Sequence, residues 1–154
     1  MRIDMRRYIV LILVLSFIPV SCGLKSLDRI YKRTLTLDET LAEKEKIDAA
    51  DNPARKYEIT STLEGRLISL DNVVVKDVIP SSDIDYKFCV LSIVETPKGE
   101  VEFYIYSLDL GTIATLEKGK THIKVLGDFR RFFSLLDSTY IKIEIGDADI
   151  VTVQ

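Results

Sequence analysis

Three patterns of apolar and polar positions follow one another along the chain. From Tyr8 to Val20 the residues are uncharged and mostly apolar, with no polar face. From Gly23 to Lys56 apolar residues are sparse. Leu24, Leu27, Ile30 and Tyr31 recur there at three and four, the spacing of one helix face. From Tyr57 onward the period drops to two, the spacing of strands with one buried side.

The last region predicts a series of strands. Tyr57, Ile59, Ser61, Leu63, Gly65, Leu67 and Ser69 share one face of a long first strand, with Gly65 marking a bulge or bend. Asp71-Asn72 reads as a turn into Val73–Ile79, followed by a loop over 80–85. Tyr86–Glu95 is apolar on both faces, as in a strand covered on both sides. Thr96-Pro97-Lys98-Gly99 joins it to Glu100–Ser107, where Val101, Phe103 and Ile105 alternate with Glu102, Tyr104 and Tyr106; the pair predicts a hairpin. Residues 108–116 fit either a short strand or a turn of helix. After a turn at 117–120 comes the strand Thr121–Leu126. Asp128 then reads as a helix cap, with Phe129, Phe132, Phe133 and Leu136 on one face. Thr139–Ile145 and Ala148–Val153, joined by a turn at Gly146-Asp147, close the chain.

This succession predicts a mainly β fold, a small antiparallel barrel with one late helix, preceded by a partly helical tether. A β-sandwich is the alternative. Leu116 to Gly127 resembles the entry to a late strand of an OB-fold, a small β-barrel. In the tether, Asp38 opens a second candidate helix, with Leu41 and Ile47 as its few apolar residues, and Asp51-Asn52-Pro53 reads as its stop. So little apolar surface predicts weak packing. The expected organisation is a leader over 1–21, a tether over 22–56 and a barrel-like domain over 57–154.

The leader changes the picture most. Arg2, Arg6 and Arg7 precede the apolar run, and Ser21, Cys22 and Gly23 follow it. A membrane span needs about 20 apolar residues, whereas the apolar part of an export signal needs about 7–15. Pro19 ends any helix and leaves extended backbone before Cys22. Pro19-Val20-Ser21-Cys22 resembles the lipobox of bacterial lipoproteins, whose usual form is Leu-Ala-Gly-Cys; Pro19 stands where leucine is usual. The resemblance implies cleavage before Cys22, a diacylglycerol on its sulfur and a fatty acyl chain on its amine. Two or more chains anchor a protein stably, where one does not. It implies a lipid-anchored place in a bacterial membrane, the outer membrane favoured because Gly23 rather than Asp follows the cysteine. A secretory signal cut elsewhere and an uncleaved N-terminal anchor are the alternatives.

Residues 22–154 carry 18 Lys and Arg (21 less Arg2, Arg6 and Arg7) against 23 Asp and Glu (24 less Asp4), a net charge of −5. That balance disfavours phosphate backbones, so nucleic acid is not an expected partner. With Cys22 acylated, Cys89 stands alone, and its place in an alternating apolar run predicts a buried thiol.

Candidate chemistry is thin. His122 is the only histidine, and it sits opposite Ile123 and Val125, so exposure is expected rather than a metal site or a Ser–His–Asp set. Phosphate-loop, Cys-x-x-Cys, His-Glu-x-x-His and Gly-x-Ser-x-Gly motifs do not occur. Asp83 with Asp85, and Asp147 with Asp149, fall short of the roughly six to eight oxygens a calcium ion takes. No metal, cofactor or catalytic residue is expected. Tyr104 and Tyr106, on one strand face beside Glu102, are the candidate binding residues. They suit a protein-contact or glycan-stacking patch, or a half-buried face covered by the tether or the late helix. Basic neighbours for stacking bases are missing from their stretch of sequence. Arg130-Arg131 reads as a solvated helix face. The expectation is a non-enzymatic binding or structural module of the cell envelope, held by its lipid and meeting an envelope protein. A small-ligand or glycan-binding lipoprotein and a carboxylate-based enzyme are the alternatives.

Overall fold

The computed structural model describes residues 29, 31–133 and 141–153. The expected leader over 1–21, Cys22, Leu24, Leu27, Ile30, Leu136, Thr139 and Tyr140 lie outside the described residues. The chain divides into two compact units, 1–32 and 33–154, and the fold below is that of the second.

Five strands close on themselves. They are β2 (Leu67–Pro80), β3 (Phe88–Thr96), β4 (Gly99–Tyr106), β5 (His122–Phe133) and β6 (Ile141–Val153). Their order is β2-β3-β4-β6-β5, and β5 pairs back onto β2 to close a barrel. A short β1 (Thr34–Leu35) runs parallel to β2 at Leu67 and Ile68. Counted from β2 the order is 1-2-3-5-4-1. The small OB-like barrel is thus what the chain forms. It is mixed rather than antiparallel, because β4 and β6 run parallel from Val101↔Ile141 to Ile105↔Ile145. Closing a ring with β6 between β4 and β5 forces that pair; a simple meander would not.

Alternation fills the interior. Val75, Val90, Val101, Phe103, Ile105, Ile123, Ile143 and Ile145 are all fully buried in one cluster. Side chains pack a barrel of this size solid. At one end lie the start of β2, the β3–β4 turn and the start of β6; at the other lie Pro80, Phe88, Tyr106, His122 and Val153. The expected hairpin forms, with eight residue pairs from Cys89↔Tyr106 to Thr96↔Gly99.

Five local expectations are corrected, each for a visible reason. Residues 57–63 are helix, not strand. The helix before Asp51-Asn52-Pro53 does stop there, at Ala49, but Asn52-Pro53 also starts α2 (Pro53–Leu63): Asn52 caps it by accepting from the Ala54 amide, and proline suits the first turn. Gly65, at φ +75°, sits just past the Glu64 cap in the left-handed conformation that ends helices, so it is a terminator rather than a bulge. Asp71-Asn72 does not separate two strands. It bends one long strand, with Asn72 at φ +53° and the β2–β5 register shifting between Leu70 and Val73. Gly146-Asp147 likewise bends β6 without ending it.

The late helix is the fifth correction. Residues 128–133 are strand, paired with β6 from Asp128↔Gly146 to Phe133↔Lys142. Two register shifts, between Leu126 and Asp128 and between Phe129 and Arg131, break the period of two. Phe129 and Phe132 therefore both reach the core, their rings 4.9 Å apart. The bulges create a spacing of three that imitates a helix. Among the described residues the helix in this half is α3 (Leu110–Ala114), capped by Asp109, with Ile113 in the core.

The stretch expected to pack weakly is well used. α1 (Leu37–Ala49) opens with a reciprocal cap between Thr36 and Glu39. Leu35 and Leu41 are buried in the barrel core, and Leu37 and Ile47 pack partly against it. Few apolar residues suffice when each lands in the core.

Candidate functional site

Tyr104 and Tyr106 lie on the outer wall of β4, opposite the inward Val101, Phe103 and Ile105. The pairing of β4 with β3 on one side and β6 on the other brings Cys89, Leu91, Lys142 and Glu144 onto the same wall. Tyr104 is half-buried; Tyr106 is buried at 5 % exposure, so little of its ring is open to a ligand. Among the described residues the cover comes from side chains of β5, of β6 and of the loop 81–87, not from the tether or a helix.

Arg130 of β5 makes most of that cover. It crosses β6 at Gly146, where an added Cβ would stand 2.0 Å from its Nε. Its guanidinium lies 4.9 Å from the Tyr86 ring centre and 5.7 Å from that of Tyr106. It donates to Asp83 Oδ2 at 2.5 Å and to the Tyr86 hydroxyl at 3.0 Å. Tyr86 in turn donates to Asp147 Oδ1 and accepts from the Asp147 amide. The β2–β3 loop is thereby stapled to the barrel wall through four side chains, its own Asp83 and Tyr86 and the wall's Arg130 and Asp147.

A second cluster surrounds Tyr104. Lys142 pairs with Glu102 at 3.1 Å and donates to the Tyr104 hydroxyl at 3.4 Å. Its ammonium lies over the rings of Tyr104 and Phe133, which meet edge to face at 5.0 Å. Lys76 approaches Glu102 from β2, and Arg131 donates to Glu144. The basic neighbours missing from the local sequence are therefore supplied by β5 and β6, but each is already bonded to a carboxylate.

The titration of these groups follows from that packing. Burial pushes the Cys89 thiol up to about 12, and burial likewise pushes the Tyr106 hydroxyl up to about 12. Burial also pushes Glu102 upward, but the hydrogen bond and charge of Lys142 outweigh it and hold Glu102 below the usual carboxylate range. The bond to Glu102 raises Lys142. At neutral pH the wall thus presents a neutral thiol, a neutral phenol and a closed ion pair. None of these is poised as a nucleophile or a general base.

Asp83 accepts from the Asp85 amide and from Arg130. His122 is exposed, with Nδ1 3.0 Å from Asn72 Oδ1. Among the described residues no group of three or more His, Cys, Asp or Glu is placed to hold a metal ion. An open cleft of about 700 Å³ runs between α1 and α2, lined by Glu43, Lys46, Arg55 and Ile59 among others; neither tyrosine contributes to it. Cys22 lies outside the described residues.

Tyr86 and Lys142 were not singled out in the sequence; Asp83 was weighed only for calcium, and Arg130, read there as part of a solvated helix face, lies in a strand and is partly buried. The available signal was Gly146, since a glycine inside a strand marks a close approach. Comparison with family models, with curated proteins and with solved structures finds no match.

Proposed function

We propose that this chain is a membrane-anchored lipoprotein of a bacterial envelope, and that its barrel acts as a non-enzymatic binding or structural module. The anchoring half rests on the order of residues at the N-terminus: a basic start, an uncharged run and then Ser21-Cys22-Gly23. The non-enzymatic half is carried by one observation. The polar groups of the tyrosine wall are committed to one another, as Lys142 is to Glu102 and Arg130 to Asp83 and Tyr86. Groups paired in this way orient and hold; they have no free partner to offer a reacting atom.

Metabolic labelling with a fatty-acid analogue tests the anchor. Wild-type chain takes up the label and fractionates with membranes, whereas Cys22→Ala does neither. Unlabelled wild-type chain would end the proposal.

A further inference from the structure

Two separate apolar clusters form in the barrel unit. The larger fills the barrel; the smaller consists of Tyr86, Cys89 and Tyr106, with Ile79, Leu91 and Tyr104 partly buried against it. The smaller cluster lies on the outer wall, where Cys89 of β3 pairs with Tyr106 of β4. Tyr86 closes over them from the loop 81–87, its ring 5.4 Å from that of Tyr106. Covered in this way, Cys89 is buried. Uncovering it does not require the barrel core to open.

The loop is built as one piece. Its neck is the Pro80↔Phe88 strand pair and the Ser81 amide, which donates to the Lys87 carbonyl at 3.0 Å. Beyond the neck it is braced by its own bonds. The Asp83 amide donates to Ser81 Oγ, the Asp85 amide to Asp83 Oδ1 and the Tyr86 amide to the Asp83 carbonyl. Among the described residues, no bond between backbone groups ties 82–86 to the barrel. Side chains hold it down: Asp83 and Tyr86 on Arg130, Tyr86 on Asp147, and Ser82 beside the Tyr106 hydroxyl. A segment braced within itself and fastened by side chains can hinge at its neck without breaking a strand ladder.

We propose that residues 81–87 form a hinged flap, latched by Arg130, which opens from the wall while the barrel stays folded and so uncovers Cys89 and Tyr106. Arg130 is the latch because it stands on β5 and reaches two loop residues at once, its guanidinium 4.9 Å from the Tyr86 ring centre. Opening leaves Cys89 and Tyr106 beside Leu91 as an apolar patch on the wall, so one barrel has two outer surfaces. The flap does not depend on the anchor proposed above.

The test is the rate at which a small methanethiosulfonate modifies Cys89 in the full chain, read on the Cys89 peptide by mass spectrometry so that Cys22 does not interfere. A thiol reached only through an opening reacts in proportion to the open population. In wild type the rate should be slow, and level in urea until the unfolding transition begins, because a flap exposes little surface. Arg130→Ala should raise it about tenfold, since bonds to a charged, partly buried group are lost. Tyr86→Phe removes the hydroxyl's bonds but keeps the covering ring, and should raise the rate about threefold. It distinguishes a released flap from a hole left by the missing arginine. Ile143→Val, in the barrel core, is the control: it should lower the urea midpoint and leave the rate without urea unchanged. A wild-type rate that climbs with urea from the start, or an Ile143→Val rate that rises in step with its lost stability, would mean that only whole-barrel unfolding exposes Cys89, and would overturn the proposal. An unchanged rate in Tyr86→Phe, or in a folded Arg130→Ala chain, would overturn it too.

Discussion

Gly146→Ala isolates the staple that holds the β2–β3 loop. Gly146 is not in the positive-φ region, where the structure places Gly65, Gly99 and Gly119, so its backbone accepts alanine. The obstacle is space. The new methyl would meet Arg130 Nε at 2.0 Å, Cζ at 2.8 Å and Cδ at 2.9 Å. Arg130 must swing away, losing its bonds to Asp83 and Tyr86 and its place over two rings. Bonds to a charged group contribute roughly 1.5–3 kcal/mol when buried, and this guanidinium is only partly so, which puts the loss near 2 kcal/mol. Alanine returns about 0.5–1 kcal/mol of strand stability. The net expectation is a destabilisation of about 1–1.5 kcal/mol. In an Arg130→Ala background the clash is gone, and Gly146→Ala should then stabilise by about 0.5 kcal/mol. Urea unfolding of the four chains, followed by circular dichroism, measures the cycle. The chain has no tryptophan, and its seven tyrosines give a second probe. If Gly146→Ala costs the same in both backgrounds, the glycine is not there to let Arg130 pass.

Three further outcomes follow from the same geometry. Glu102 is held below, and Lys142 above, the ordinary range. Stability should therefore fall as pH drops through the folded Glu102 value, and fall again as pH rises through the folded Lys142 value; Glu102→Gln should flatten both limbs of an unfolding-versus-pH curve. Cys89, at 1 % exposure and with its pKa near 12, should resist a maleimide in native Cys22→Ala chain and react once urea unfolds it; fast native labelling would contradict the packing. Gly65→Ala should lower stability by about 1 kcal/mol, because alanine is strained at φ +75° although the space around it is open, while Gly65→Asn should lose less on thermal melting.

The tyrosine wall was half legible. Alternation along β4 put Tyr104 and Tyr106 on one face with Glu102, and they are there. Their real neighbours are separated from them by tens of residues: Arg130 and Lys142 arrive through strand pairing, which no local spacing encodes. Phe129, Phe132 and Phe133 misled for a related reason. A bulge shifts which residues face inward, and a shifted strand has the same signature as a short helix. Tyr57 to Leu63 failed in the opposite sense. Its period of two is genuine, but the cap at Asn52 and the stop at Gly65 outweigh it, and Tyr57 ends up in water at 74 % exposure.

By itself the sequence determined the material of the fold: a strand-rich body with solid aliphatic faces, the β3–β4 hairpin, a buried Cys89 and an exposed His122. Those features depend on side-chain period and turn chemistry, which act between near neighbours. Only the tertiary structure decided that the strands close into a mixed ring, that α1 spends Leu41 on the barrel core, and that Arg130 crosses Gly146 to hold Tyr86. Each of these is a contact between segments far apart in the chain, selected by which faces are left uncovered once the others have paired.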